Sequence, residues 1–122
     1  MAAVDVQLKP SKQIYAILPD DDRVTEVVRL LRKEKNILTA HQITCRGMGA
    51  VGRSAPGRRL RSQAPKSLRL LTIVVEEERA DEIFEFVFHK AEVDKPMGGI
   101  VFMGALDGAT AFLVPEGVED EE

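Results

Sequence analysis

The chain has 122 residues, which fits one domain, and its 44% hydrophobic and 30% charged residues are an ordinary globular composition. A net charge of −3 argues against a general nucleic-acid binder, which usually carries a basic surface. The lone Cys45 excludes an intrachain disulfide framework, and no apolar run approaches the roughly 20 residues that span a bilayer.

The first half of the chain predicts a strand, a helix and a second strand. The β-branched and apolar run Gln13–Leu18 is typical of a strand. The carboxylates of Asp20–Asp22 suit the start of a helix, because they complement its dipole. An apolar stripe with helical spacing follows, formed by Val24, Val27, Val28 and Leu31. The run Ile37–Cys45 predicts the second strand.

The second half predicts a strand, a helix and a further strand. The run Leu68–Val75 is apolar on both faces, which predicts burial on both sides, under helices or against another subunit. Apolar residues recur at helical spacing from Ala80 to Ala91. Gly99–Ala105 predicts the fourth strand, and Thr110–Val114 predicts a short fifth piece. The β-α-β-β-α-β order is the ferredoxin-like split βαβ arrangement, an α+β fold.

The predicted domain covers residues 12–114, between an N-terminal extension at 1–11 and an acidic tail at 115–122. Residues 1–10 lack the apolar core of a signal peptide, so the protein is expected in the cytoplasm. The second and third strands are joined by residues 46–66, although a hairpin needs only about two to five residues. The charged side chains of this segment, residues 46–66, are all basic: Arg46, Arg53, Arg58, Arg59, Arg61 and Lys66.

Two glycine-rich segments are candidate ligand sites. In Arg46–Arg53, three glycines let the backbone approach an anion, and the flanking arginines suit a phosphate or a carboxylate. The alternative is a flexible exit from the strand with a solvated basic surface. In Lys95–Gly99, the alternative is a helix C-cap, because glycine is favoured just past a helix end. A ferredoxin-like sheet could bring the two segments together, in the same or a neighbouring subunit.

Catalytic and metal-binding residues are sparse in the sequence. His41, Cys45 and His89 do not supply the four ligands of a structural zinc site, so no metal is expected. No base is indicated beside Cys45, and no pair of acids stands out as an acid–base couple. His41 could face a cleft or the sheet surface. The sequence therefore predicts a protein that is not an enzyme.

In this order, the pieces resemble the PII family of trimeric signalling proteins over roughly residues 12–105. The stretch ILTAHQITCRGMG (residues 37–49) resembles the strand that ends in the family's Gly-aromatic-Gly motif, with Met48 at the aromatic position. Residues 50–65, whose charged side chains are all basic, occupy the position of the family's mobile T-loop. The stretch PMGGIVF (residues 96–102) is similar to the Gly-Asp-Gly-Lys-Ile-Phe-Val sequence of the B-loop.

The resemblance implies a homotrimer with its sheets packed inward. It implies that an adenine nucleotide (ATP, ADP or AMP) binds as an effector between subunits, and that the T-loop contacts a partner such as a membrane transporter. By position, the nucleotide site comprises His41, Gly47, Met48, Gly49, Gly98, Gly99 and Ile100. The phosphate and partner contacts fall on the loop residues Arg46, Arg53, Arg58, Arg59 and Arg61.

The sequence also departs from the family's pattern. Gly99 replaces the B-loop lysine that meets phosphate, and Val51 replaces the glutamine that helps to bind Mg-ATP and 2-oxoglutarate. The loop has no tyrosine, so uridylylation there is excluded, and the RIRTGE-type segment is absent. A divergent PII-like branch that does not sense 2-oxoglutarate is therefore expected. The alternatives are a metal-responsive trimer of the divalent-cation tolerance type and a small ferredoxin-like enzyme, for which His41 is the candidate acid or base.

Overall fold

The structure, a computed structural model, describes residues 7–47 and 66–110. Several predicted features lie outside these ranges: the fifth strand piece beyond Thr110, the acidic tail, and the site residues Met48, Gly49, Arg53, Arg58, Arg59 and Arg61.

The described residues form one four-stranded sheet and two helices, in the predicted chain order. Neighbouring strands are all antiparallel and lie in the order β2-β3-β1-β4. A 3-10 turn at Glu77–Arg79 leads into the second helix. The ferredoxin-like α+β prediction is confirmed. The elements are β1 Lys9–Pro19, α1 Asp22–Lys35, β2 Ala40–Gly47, β3 Lys66–Glu76, α2 Ala80–Lys90 and β4 Ile100–Ala109.

The strand ends differ from the sequence prediction, because pairing sets them. β1 begins at Lys9 rather than at Gln13, since Lys9 pairs with Ala109 at the far end of β4. β2 begins later than predicted, at Ala40, because the backbone N–H of Ile37 donates to Leu31 at the end of α1. The helices are 14 and 11 residues long, and no described helix is long and apolar enough to cross a membrane.

Both helices pack on one face of the sheet and bury the core there. Alternate residues of the central strands point into this layer, as expected for strands with a period of two. The predicted stripe of α1 is buried at Val24, Val27 and Leu31, which confirms the predicted spacing. The rest of the core consists of Ile14, Ala16, Leu18, Ile37, Leu71, Ile73, Val75, Ala80, Ile83, Val87 and Ala91.

The opposite sheet face is not covered by either helix. By its pairing register, this open sheet face carries Tyr15, Ile17, Leu70, Val74, Ile43, Ile100 and Phe102. Three of these large apolar side chains are strongly exposed: Ile43 at 57%, Ile100 at 44% and Phe102 at 45%. On this face of β3, Leu68 is buried, but Leu70, Thr72 and Val74 are only partly buried within the described chain.

Candidate functional site

The glycine segments lie at the same end of the sheet, where β1 and β2 end and β3 and β4 begin. Gly47 pairs with Lys66 on β3, and Ile17 of β1 pairs with Ile100 on β4. However, β2 and β4 are the two outer strands of the described sheet. Three strand spacings separate them, which is about 14 Å. Within one chain, the segments therefore share an end of the sheet without being in contact.

The turn from α2 to β4 begins with a helix end that contains no glycine. The N–H of Glu92 donates to the carbonyl of His89 at 3.1 Å, and the N–H of Val93 donates to Phe88 at 3.0 Å. This is a Schellman motif, and Glu92 occupies its left-handed position with φ of 59°. The interpretation of Gly98 and Gly99 as the helix C-cap is therefore wrong.

The two glycines of this turn are required by close contacts with the backbone. A Cβ on Gly98 would stand 2.2 Å from the carbonyl oxygen of Glu92, and one on Gly99 would stand 2.3 Å from that of Ile17. Gly99 also has φ of 106°, a conformation that side chains rarely adopt. The N–H of Gly98 already donates to Lys95 at 3.0 Å. The exposed residues of this turn are Glu92, Asp94, Lys95, Pro96, Met97 and, at the start of β4, Ile100.

A polar cluster fixes the β3 side of the same end. Asp20, just after β1, accepts a hydrogen bond from Ser67 Oγ at 2.6 Å and one from Arg69 Nε at 2.7 Å. The Arg69 guanidinium also donates to Gln42 Oε1 on β2 at 2.5 Å. The hydrogen bond from Ser67, followed by that from Arg69, lowers the pKa of the Asp20 carboxyl. The cluster therefore connects three strands next to the basic segment.

The β2–β3 ladder continues to the last described residues on both sides of the segment 48–65. Arg46 pairs with Ser67, and Gly47 pairs with Lys66. Because side chains alternate, Arg46 points to the helix side of the sheet and Lys66 to the open sheet face. Both are exposed. The segment therefore leaves from two adjacent, fixed strand ends with cations on both faces.

His41 lies far from the glycine segments. It pairs with Thr72 near the start of β2 and is exposed on the open sheet face. Six residues of strand separate it from Gly47, which is about 20 Å. Cys45 lies on the same face of the same strand. The described residues contain no group of three or more side chains that could hold a metal ion.

The two glycine segments share one end of the sheet without contact, and the third predicted feature, His41, lies elsewhere. Gly47, Gly98, Gly99, Ile100 and Arg46 all lie at one sheet end, on two opposite edges. His41 lies towards the other end of its strand. The Asp20 cluster was missed by sequence reasoning, since its partners are 47 and 49 residues away in the chain.

Comparison with solved structures finds this fold in PII proteins. A GlnK–ATP complex from B. subtilis has a TM-score of 0.61 and 12% identity, over 80% of this chain and 82% of that chain. PII from Arabidopsis thaliana bound to citrate has a TM-score of 0.59 and 17% identity, over 78% and 76%. No protein-family model and no curated protein sequence matches the chain. The chain therefore has the fold of PII proteins, as its sequence predicted.

Proposed function

We propose that this protein is a PII-like regulator rather than an enzyme. It binds an adenine nucleotide between the subunits of a homotrimer and acts on a partner protein through the basic segment 46–66. The partner is a membrane transporter or another protein with an acidic docking surface, because the segment carries six basic residues and no acidic one. The ligand works by binding one arrangement of this segment better than the other arrangements.

The observation that carries the proposal is the open sheet face. An apolar surface that includes Ile43, Ile100 and Phe102 at 44–57% exposure is unusual for a chain that stays alone in water. Tyr15 and Phe102 stack on this face, with ring centroids 5.2 Å apart, which adds an aromatic pair to the apolar surface. Packing three such faces together removes them from water.

The proposed trimer also determines where the ligand site lies. In a closed threefold ring, each contact joins two different surfaces of the chain. In the proposed trimer these are the β2 edge of one copy and the β4 edge of the next. The segments at Gly47 and Gly98–Gly99, about 14 Å apart in one sheet, then border a cleft between copies. The B. subtilis GlnK with this fold was solved in complex with ATP, which supports an adenine nucleotide as the effector.

A calorimetric titration with ATP, ADP and AMP, with and without magnesium, tests the proposal. Light scattering on the same sample gives the number of chains per particle. We expect saturable binding of one nucleotide per chain to a trimer. A matched pair of variants locates the site: Arg46→Ala should weaken binding, whereas Lys90→Ala, exposed at the end of α2, should not.

The outcomes separate the parts of the proposal. A trimer that gives no heat with any nucleotide would retain the assembly and exclude the adenine nucleotide as effector. A monomer under all conditions would contradict the inter-subunit site itself.

A further inference from the structure

Gly104 is exposed in the middle of β4, where its own chain makes no contact that requires a glycine. A Cβ added there would meet no described atom within 4 Å beyond its neighbours in sequence, whereas one on Gly47 or Gly108 would meet a leucine side chain at 3.1 Å. Gly104 pairs in regular register with Gln13 of β1, and its φ is not in the left-handed region. The described chain therefore gives neither a steric nor a conformational reason for glycine at this position.

A glycine inside a strand weakens the strand, because it loses more conformational entropy on folding and has no side chain to pack. Such glycines mark a bulge, a tight bend, or a place where a ligand or another backbone approaches closely. The continuous pairing on both sides of Gly104 excludes a bulge or a sharp bend there. The open space above it excludes a close approach within the described chain. The position therefore suits a close approach from outside the chain.

The absence of a side chain at Gly104 leaves a recess in the open sheet face. Phe102 and Leu106 lie before and after it on the same face of β4, and Gln13 lies across from it on β1. Phe102 is exposed, and Leu106 and Gln13 are half-buried. Towards the outside, the recess reaches the free edge of β4, since β4 pairs with β1 alone among the described strands. A side chain can therefore enter it from beside β4.

The surface around this recess is uncharged. The rows of paired residues on the open sheet face between Lys66 at one end and Glu76 at the other contain no Asp, Glu, Lys or Arg. A charge buried against such a surface would lack a partner, which is costly. The recess therefore suits an apolar side chain rather than a charged segment.

The same face carries an apolar side chain that fits this description. Ile43 on β2 is 57% exposed, more than the other large apolar residues that the described strands place on this face. It lies about 14 Å from the recess of its own chain, because β2 and β4 are the two outer strands of the described sheet. In a closed threefold ring, each contact joins two different surfaces of the chain. A recess on one edge and a projecting side chain on the other match this requirement, so a second copy is the occupant.

The strand directions place Ile43 and Gly104 at the same distance from the end of the sheet that carries the glycine segments. β2 runs towards this end, and Ile43 lies four residues before its last residue, Gly47. β4 runs away from this end, and Gly104 lies four residues after its first residue, Ile100. Each is thus about 13 Å from the end. When Gly47 of one copy borders the same cleft as the Gly98–Gly99 turn of the next copy, Ile43 lies level with the recess.

From these observations, we infer that Ile43 of one copy inserts into the Gly104 recess of the next copy. The inference rests on the proposed trimer and adds the contact that sets how the copies align. Because the contact fixes the two strands at one level, it also holds Gly47 beside Gly98 and Gly99 of the next copy. The contact therefore positions the two sides of the proposed nucleotide site.

An exchange of side-chain volume between the two positions tests the inference. Gly104→Val adds three carbon atoms to the recess, and Ile43→Ala removes three from the projecting side chain. Each change alone should raise the protein concentration at which half of the trimer dissociates by about tenfold or more, because overfilled and emptied contacts are both unfavourable. The double variant should recover trimer relative to Gly104→Val alone, because the total volume at the contact is restored. Light scattering over a dilution series measures all four proteins.

Two control variants separate this contact from general damage to the sheet. Ala105→Val adds bulk at the next residue of β4, which is exposed on the helix side, and should leave the trimer unchanged. Ile100→Ala removes the same three carbon atoms from another exposed side chain of the open sheet face, and should not rescue Gly104→Val. Gly104→Val should fold, since its Cβ meets open space in its own chain, and circular dichroism verifies this for every variant.

The outcomes distinguish this contact from the trimer itself. A trimer that Gly104→Val leaves unchanged would overturn the inference and retain the proposed trimer. A double variant no better than Gly104→Val alone, or an equal rescue by Ile100→Ala, would overturn the pairing of Ile43 with the recess. An unsubstituted chain that stays monomeric would overturn the trimer and the inference together.

Discussion

Asp20 stabilises the fold in a way that depends on pH. Its carboxylate accepts hydrogen bonds from Ser67 and Arg69, and these lower its folded pKa below the ordinary value of 3.8. For a group with a lowered folded pKa, the stabilisation is complete above the unfolded pKa and is lost as pH falls through the folded pKa. The contribution of Asp20 is therefore present at pH 7 and declines below about pH 4.

The variant Asp20→Asn tests this dependence. It should lower the free energy of unfolding at pH 7, because the charge that binds Arg69 is removed. The difference from the unsubstituted chain should stay constant from pH 7 to about pH 4 and shrink below that, since the native carboxyl then becomes neutral as well. Urea unfolding at several pH values measures both. Asp107→Asn, which removes an exposed carboxylate outside the cluster, is the control, and an Asp20→Asn difference that stays constant with pH would contradict the account.

The three neighbouring aspartates, Asp20, Asp21 and Asp22, show which roles the local sequence predicts and which it does not. Asp21 accepts a hydrogen bond from the N–H of Arg23 at 2.9 Å, as an N-cap does, and Asp22 lies in the first turn of α1. These roles are local, and the acidic helix start was predicted. The partners of Asp20 come from β3, so its role depends on strand pairing that no local pattern encodes.

At the scale of elements, helices were predicted better than strand ends. The buried positions of a helix recur in the sequence at a spacing of three and four residues, and Val24, Val27 and Leu31 follow this spacing. The length of a strand depends on how far its partner strand continues to pair with it. β4 therefore extends to Ala109, because Lys9 of β1 pairs with that residue. The helix C-cap was misplaced because the sequence signal for it is glycine, and here glutamate takes that position.

The end of α2 carries a testable strain at Glu92. A left-handed conformation costs a residue with a Cβ about 1–2 kcal/mol, and glycine avoids this cost. Glu92→Gly should therefore raise the free energy of unfolding by about 1 kcal/mol. Asn36, which has φ of 59° at the end of α1, is the matched control, since asparagine tolerates this conformation.

Chemical denaturation of both variants measures the difference. Asn36→Gly should give a smaller gain than Glu92→Gly, or none. Equal effects at the two helix ends would mean that Glu92 is not strained.

At the scale of the whole molecule, the sequence predicted how much apolar surface there is but not what covers it. The run Leu68–Val75 is apolar at alternate positions on both sides, and only one side meets the helices. Periodicity assigns residues to faces, whereas the cover of a face depends on other elements or on other chains. The proposed trimer supplies the missing cover for residues such as Leu70 and Val74.

Ile43→Glu tests whether this face joins copies of the chain. Ile43 is 57% exposed in one chain, so a carboxylate there should change the stability of the single chain little. In a closed interface the same carboxylate would be buried without a partner, which strongly opposes association. The unsubstituted protein should behave as three chains of 13.5 kDa each, and the variant as one.

His89→Glu introduces the same group on the exposed surface of α2 and should leave the particle unchanged. Light scattering and circular dichroism on the three proteins decide the matter: a folded Ile43→Glu variant that keeps the mass of the unsubstituted protein would show that the open sheet face is not the interface.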